Sequence, residues 1–89
     1  MESLDLYRTL CDQDAIVEII FSCKRLKHLN LGSCVNINNF DEVMSIIADN
    51  CSETIESLDL WRAYSLTQYG LSKIALSCFK LKELDIGWW

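Results

Sequence analysis

The segment SLDL at residues 3–6 recurs as HLNL at 28–31, SLDL at 57–60 and ELDI at 83–86. The second residue of each copy is a leucine, and these leucines are separated by 25, 29 and 26 residues along the chain. Apolar residues two positions apart project from the same face of a β-strand. The recurring segment therefore predicts four short strands, each with two side chains directed into a core.

A second pattern lies between these strands and has the spacing of a helix. Three quartets each stand at i, i+3, i+4 and i+7: Ile16, Ile19, Ile20 and Cys23; Met44, Ile47, Ala48 and Cys51; Leu71, Ile74, Ala75 and Cys78. This spacing places each quartet on one stripe of an α-helix. A strand–helix unit that repeats at this interval is typical of leucine-rich repeats, which must stack to bury their apolar faces.

These patterns predict an α/β fold, a leucine-rich-repeat solenoid fragment with a parallel concave β-sheet and helices on the convex side. We expect about three and a half repeats in one domain over residues 1–89, approximately 1–25, 26–54, 55–80 and a partial repeat 81–89. The chain has no proline and no Ser/Gly-rich linker that would indicate a domain boundary. Helix-capping residue types precede or open the three predicted helices, namely Asp12 with Asp14, Asn39 with Asp41, and Thr67.

The charge balance indicates which partners to expect. The formal net charge is -5, from 13 acidic and 8 basic residues, and an acidic surface repels the phosphates of nucleic acids. The one basic run, Lys24, Arg25 and Lys27, is interpreted as solvated charge after a helix C-terminus. No apolar stretch is long enough to predict a membrane span, and the first ten residues lack the apolar core of a signal peptide. We therefore expect neither nucleic acid nor membrane insertion.

The five cysteines form no CxxC pair, and the single histidine, His28, lies in a predicted strand, so the spacing does not favour a zinc site. Cys23, Cys51 and Cys78 instead occupy equivalent positions of the helical stripes, where a buried thiol serves as a small apolar group. An odd number of cysteines favours a reducing, intracellular compartment, cytoplasmic or nuclear. No nucleophile–histidine motif or phosphate loop is present, so we expect no catalytic residue, no cofactor, no metal and no enzyme.

A family resemblance is visible in CKRLKHLNLGSC (residues 23–34), which resembles the CxxLxxLxLxxC pattern of the cysteine-containing leucine-rich repeats typical of F-box proteins. CFKLKELDIGWW (78–89) departs only at its last position, where Trp89 replaces cysteine, whereas CSETIESLDLWRA (51–63) has one extra residue before Ile55 and ends in Ala63. The segments LKHLNLGSCVNI, IESLDLWRA and LKELDIGWW are similar to successive repeats of one member of the F-box and leucine-rich-repeat family.

The resemblance implies a function as the substrate-binding repeats of an F-box subunit of a cullin-RING (SCF-type) ubiquitin ligase. The sequence contains no F-box, so the Skp1–cullin complex would be reached only through an F-box outside this chain, which would make the chain a fragment or an incomplete gene product. Mitochondrial association follows if the resemblance extends to that one member. The alternative is a leucine-rich-repeat scaffold for protein–protein interaction with no ubiquitin role.

Strand geometry predicts the binding surface. Side chains that alternate with the buried leucines face the concave side of the sheet. We expect a protein substrate to contact charged and aromatic residues of the strands and of the positions that follow them, namely Tyr7, Arg8, His28, Asp59, Trp61, Arg62, Asp85 and Trp88. Asp59 and Asp85 would be neighbours of like charge, and Arg62 is expected to compensate them. The alternative is that these are ordinary strand residues whose rings lie against neighbouring turns.

Overall fold

A computed structural model describes residues 2–87 of the chain. Within this range strands and helices alternate as β1 (Ser3–Asp5), α1 (Gln13–Ser22), β2 (His28–Asn30), α2 (Phe40–Asn50), β3 (Ser57–Asp59), α3 (Gln68–Ser77) and β4 (Glu83–Asp85). The strands form one parallel sheet in the order β1-β2-β3-β4. The predicted α/β class and the parallel sheet are confirmed. None of the helices within residues 2–87 is long and apolar enough to cross a membrane.

The register of the sheet follows the recurring leucines. Leu4 pairs with Leu29, Leu29 with Leu58, and Leu58 with Leu84. Leu29 and Leu58, on the two inner strands, are buried, whereas Leu4 is only partly buried. The core therefore lies between the leucine face of the sheet and the three helices, and its best-covered part is the middle of the stack.

Two predicted core positions at the C-terminal side of the stack are exposed. Ala75 of α3 is exposed, and Leu84 of β4 is 42% exposed. The equivalent residue of α2, Ala48, is buried because α2 packs between α1 and α3. The spacing correctly predicted a helix here, but burial also requires a neighbouring unit. Within the described chain, α3 packs against α2 on one side alone.

The three predicted helix starts are confirmed. Asp12 Oδ1 accepts a hydrogen bond from Ala15 N at 2.9 Å, and Asn39 Oδ1 accepts one from Glu42 N at 3.1 Å. Thr67 Oγ1 accepts from Tyr69 N at 3.2 Å. These side chains satisfy backbone N–H groups of the first helical turn that have no partner inside the helix.

A contact between successive units adds to this capping. The carboxylate of Asp41, in the first turn of α2, accepts hydrogen bonds from the backbone N–H of Thr67 (2.8 Å), the backbone N–H of Gly70 (3.2 Å) and the Thr67 hydroxyl. One acid of α2 thus holds the start of α3. The sequence indicated that Asp41 caps its own helix, not that it also reaches the next one.

The repeated cysteines end the helices and are buried, as predicted. Cys23, Cys51 and Cys78 are the C-cap residues of α1, α2 and α3, with 8%, 1% and 5% of their surface exposed. Burial raises the pKa of the Cys78 thiol to about 11, and it also raises the pKa of Cys51. The thiols of Cys51 and Cys78 are therefore neutral core groups. No cluster of three or more metal-ligating side chains occurs within residues 2–87.

Candidate functional site

The face of the sheet opposite the helices, here called the open face, carries two aligned columns of polar side chains. The register aligns Ser3, His28, Ser57 and Glu83 in one column and Asp5, Asn30, Asp59 and Asp85 in the other. Residues of the first three strands, including His28 and Asp59, line a shallow pocket of about 200 Å³. The predicted columns are therefore present, and they give the open face a polar, mainly acidic character.

The second of these columns has a local structural role. In each unit, the side-chain Oδ1 accepts a hydrogen bond from the backbone N–H two residues later. The pairs are Asp5 with Tyr7 (3.0 Å), Asn30 with Gly32 (2.9 Å), Asp59 with Trp61 (3.1 Å) and Asp85 with Gly87 (2.9 Å). Such Asx-turns fix the path of the chain as it leaves a strand. One carboxylate oxygen of Asp59 and of Asp85 is thus directed at the protein's own backbone.

A tight turn follows each of the first three strands. The carbonyl oxygens of Leu6, Leu31 and Leu60 each accept a hydrogen bond from the backbone N–H three residues later, at 3.1–3.4 Å. The third residue of each turn has a positive φ: Arg8 (58°), Ser33 (56°) and Arg62 (64°). This is the position of a type II turn that favours glycine. A residue with a side chain there lowers the folding stability by about 1–2 kcal/mol relative to glycine.

The sheet extends into these turns and holds them. Arg8 N donates to Gly32 O and Ser33 N donates to Trp61 O, both at 2.8 Å. The turns of successive units are therefore linked by backbone hydrogen bonds beyond the ends of the strands. We call residues 7–10, 32–35 and 61–64 the rim, since they follow the C-terminal ends of β1, β2 and β3.

Aromatic rings of the rim lie over glycines of the next unit. A Cβ built on Gly32 would be 2.9 Å from Cδ1 of Tyr7, and one built on Gly87 would be 2.3 Å from Cδ1 of Trp61. Each ring thus occupies the space that a side chain on the neighbouring strand would need. Trp61 is half-buried by this contact, while Tyr7 remains 44% exposed.

Arg62 is paired with an aromatic ring. Its Cζ lies 4.7 Å from the centroid of the Trp61 ring, within the range of a cation–π interaction. Within residues 2–87, no ion pair joins Arg62 to Asp59 or Asp85; the salt bridges in this range are Lys27–Glu2 and Lys82–Glu56. The expectation that Arg62 compensates the two aspartates was therefore wrong, because its guanidinium stacks on the adjacent indole.

Four of the predicted partner-binding residues come together in one place. Tyr7, Arg8, Trp61 and Arg62 line a cleft of about 440 Å³ at the rim, here called the rim cleft. His28 and Asp59 line the separate pocket on the open face, and Asp85 follows in the same column on β4. Trp88 lies outside the described residues. The predicted set thus divides into an aromatic and cationic group at the rim and a polar group on the sheet.

A third feature of the rim was not predicted from the sequence. Leu10 and Val35 also line the rim cleft, and they are 74% and 72% exposed. Tyr64, at the equivalent position of the third unit, is 72% exposed. Each of these three side chains stands six residues after the first leucine of its recurring segment (Leu4, Leu29 or Leu58). This shared position is the sequence signal that would have identified them as an aligned row.

Comparison with known proteins bears on the family resemblance. The chain is 42% identical over 88 residues to F-box/LRR-repeat protein 4 from Bos taurus, and the match covers 99% of this chain. The chain spans 14% of the length of that relative. No family model matches the sequence. The similarity to the repeats of an F-box/LRR-repeat protein, which the sequence motifs indicated, is confirmed.

Proposed function

We propose that the chain, as a leucine-rich-repeat solenoid fragment, is a protein-recognition module with its partner on the open face and the rim. We further propose that it is the substrate-binding part of an F-box subunit of a cullin-RING ubiquitin ligase. The observation that supports this most directly is the 42% identity, over nearly the whole chain, to F-box/LRR-repeat protein 4. That relative's name joins an F-box to leucine-rich repeats, and the match falls on the strand–helix units.

The geometry supports the recognition part of the proposal. Trp61 and Arg62 form one stacked unit at the rim, and Tyr7 and Arg8 stand at the equivalent positions two strands away. Trp, Tyr and Arg are the residue types that contribute most to binding energy at protein interfaces. Hydrogen-bonded turns hold both pairs, so little conformational entropy is lost when a partner binds them.

The rest of the predicted set fits the same role. Asp59 and Asp85 lie on the open face at the strand ends next to the rim, and His28 lies on the same face at the other end of its strand, where they would supply polar contacts around an aromatic and cationic anchor. Asp59 and Asp85 each have a second carboxylate oxygen beyond the one in the Asx-turn. A partner with N–H donors along its backbone would match this face.

The runner-up function is a scaffold that binds proteins without promoting their degradation. The two functions differ in what happens to the bound protein. If the chain binds a ligase substrate, its overexpression should compete with the complete ligase subunit and lengthen the half-life of that substrate. A scaffold would bind its partner and leave the half-life unchanged.

The test is a measurement of protein turnover in cells that express the chain, paired with identification of the proteins bound to it. Trp61→Ala should abolish both binding and the change in half-life. Tyr69→Ala removes an exposed aromatic from α3, away from the rim, and should abolish neither. Bound proteins whose half-lives are the same with and without the chain would contradict the ubiquitin-ligase function and favour the scaffold.

A further inference from the structure

We infer that the rim cleft binds an extended acidic segment of the partner, whose carboxylates pair with Arg8 and Arg62 and whose apolar side chain packs on Leu10 and Val35. This inference rests on the proposed function and narrows it, since it specifies the chemistry that the partner must present.

The first support is the distribution of charge. The chain carries a formal net charge of -5, yet the rim cleft is lined by two arginines and no acid. A second cleft, at the N-terminal ends of α1 and α2, has the opposite character, with Asp12, Asp14 and Glu42 and no base. The rim cleft is therefore a locally cationic site on a chain of net negative charge, which favours an anionic partner at this position.

The second support is that both guanidinium groups are available. Arg8 and Arg62 are exposed, and within residues 2–87 neither forms an ion pair with a carboxylate. Arg62 stacks on Trp61, but stacking uses the face of a guanidinium, whereas its N–H donors lie along the edge. Each arginine can therefore donate to a carboxylate of a partner in the two-bond geometry typical of such pairs.

The third support is the row of apolar side chains beside the arginines. Leu10, Val35 and Tyr64 are at least 72% exposed at equivalent positions of three adjacent units. A single exposed leucine needs no explanation, but an aligned apolar row next to stacked aromatic and cationic groups has the composition of an interface core.

The spacing of the arginines indicates the length of the segment. Arg8 follows β1 and Arg62 follows β3, so they are two strand spacings apart, about 10 Å. An extended chain in the polyproline II conformation rises about 3.1 Å per residue with three residues per turn, so carboxylates three residues apart lie on the same side, about 9 Å apart, and would reach both arginines. The segment would cross the strands along the rim.

The test uses a fluorescein-labelled synthetic peptide, Glu-Ser-Leu-Glu repeated twice, and measures its binding to the chain by fluorescence anisotropy. Three further peptides replace Glu by Gln, Glu by phosphoserine, or Leu by Ser. The Gln and Ser peptides should bind more weakly than the parent, and binding of the parent should weaken as salt is added.

The protein variants are chosen to retain the left-handed turns. Arg8→Asn and Arg62→Asn remove the charges with a residue that tolerates positive φ. The double variant should bind the Glu peptide about tenfold more weakly, the sum of two exposed ion pairs. Arg25→Asn removes the same charge from an exposed site after α1 and should bind as the wild type does.

Four outcomes would overturn the inference. They are equal binding of the Glu and Gln peptides, no binding of the Glu peptide at millimolar concentration, binding of the phosphoserine peptide alone, and an equal loss in Arg25→Asn. The proposed function is tested separately with the natural partner. If Trp61→Ala loses that partner while the Arg8→Asn/Arg62→Asn double variant retains it, the acidic-segment inference is wrong and the recognition function stands.

Discussion

The indole of Trp61 lies over the backbone of Gly87 on the neighbouring strand segment, where a Cβ would come within 2.3 Å of Cδ1 and 2.6 Å of Nε1 of the ring. Gly87 also has a φ of 73°, which L side chains rarely adopt. The packing of the Trp61 ring therefore requires glycine at position 87, because a side chain there would occupy the space of the ring.

The first prediction follows from this packing. Gly87→Ala should displace the indole and lower the free energy of unfolding by about 1–2 kcal/mol, the cost of a side chain at positive φ. NMR should show a shifted Trp61 indole N–H signal, identified by its loss in Trp61→Phe. Gly32→Ala is the control, because Gly32 has an ordinary φ and an added Cβ would lie 2.9 Å from Tyr7 Cδ1 and 3.1 Å from Asn30 Oδ1, so its effect should be smaller. An unchanged indole signal in Gly87→Ala would contradict the packing.

A second prediction concerns Gly70 in α3. Glycine in a helix interior normally costs about 1 kcal/mol relative to alanine, so Gly→Ala usually stabilises a helix. Here an added Cβ would lie 2.4 Å from Asp41 Oδ1 and 3.1 Å from Asp41 Cα, and the Asp41 carboxylate is held by hydrogen bonds to α3. Gly70→Ala should therefore destabilise the protein in a urea titration.

The matched experiment is a double-mutant cycle with Asp41→Ala. That change alone should also destabilise the protein, because it removes the acceptor for the Thr67 and Gly70 N–H groups. In the double variant the two losses should be less than additive, since the overlap with the carboxylate is gone. Stabilisation by Gly70→Ala alone would show that α2 and α3 are not in this contact.

A third prediction concerns the register of the sheet. Leu58 is 1% exposed between Leu29 and Leu84, so Leu58→Ala should lose about 2–5 kcal/mol through lost burial and a cavity. Asp59→Asn, one residue later, should be tolerated because an amide oxygen can accept the Trp61 N–H just as Asn30 accepts that of Gly32. Circular dichroism melts would compare the two, and similar melting temperatures would contradict the register.

A fourth prediction uses the pKa of Cys78. Because the fold raises this pKa to about 11, from 9.0 for an ordinary cysteine, the unfolded state releases its proton first as the pH rises. The associated stabilisation is complete below pH 9 and is lost between about pH 9 and pH 11. Urea titrations across this range should show a smaller fall in stability for Cys78→Ala than for the wild type. Leu76→Ala, which removes an exposed side chain without a titrating group from α3, should follow the wild type.

The alternation of strands and helices, the register and the helix starts were predictable because each depends on local spacing. The leucines of the recurring segment set the sheet register, and Asp12, Asn39 and Thr67 marked the three helix starts. Such features need only the periodicity of a strand or helix and the chemistry of a cap. The division into repeats at residues 25, 54 and 80 stays a prediction.

The features that were missed depend on the conformation of a turn or on contacts between units. Arg62 was expected beside the aspartates, but a left-handed turn at Arg62 places its guanidinium over Trp61. Ala75 follows the helical spacing and is nevertheless exposed, because burial depends on the neighbouring unit and not on the spacing. The partner-binding roles of the open-face and rim residues likewise remain proposals, since a sequence pattern locates a surface without identifying what binds it.

Hydrogen–deuterium exchange of the chain with and without a bound protein partner is the most direct test of the open face and rim as the recognition surface. Binding should slow exchange in residues 5–10, 30–36 and 59–64, which include the ends of β1, β2 and β3 and the turns after them. Exchange in α1, α2 and α3 should change little. Protection confined to residues 13–22, 40–50 and 68–77 would place the partner on the helices and contradict recognition by the open face and the rim.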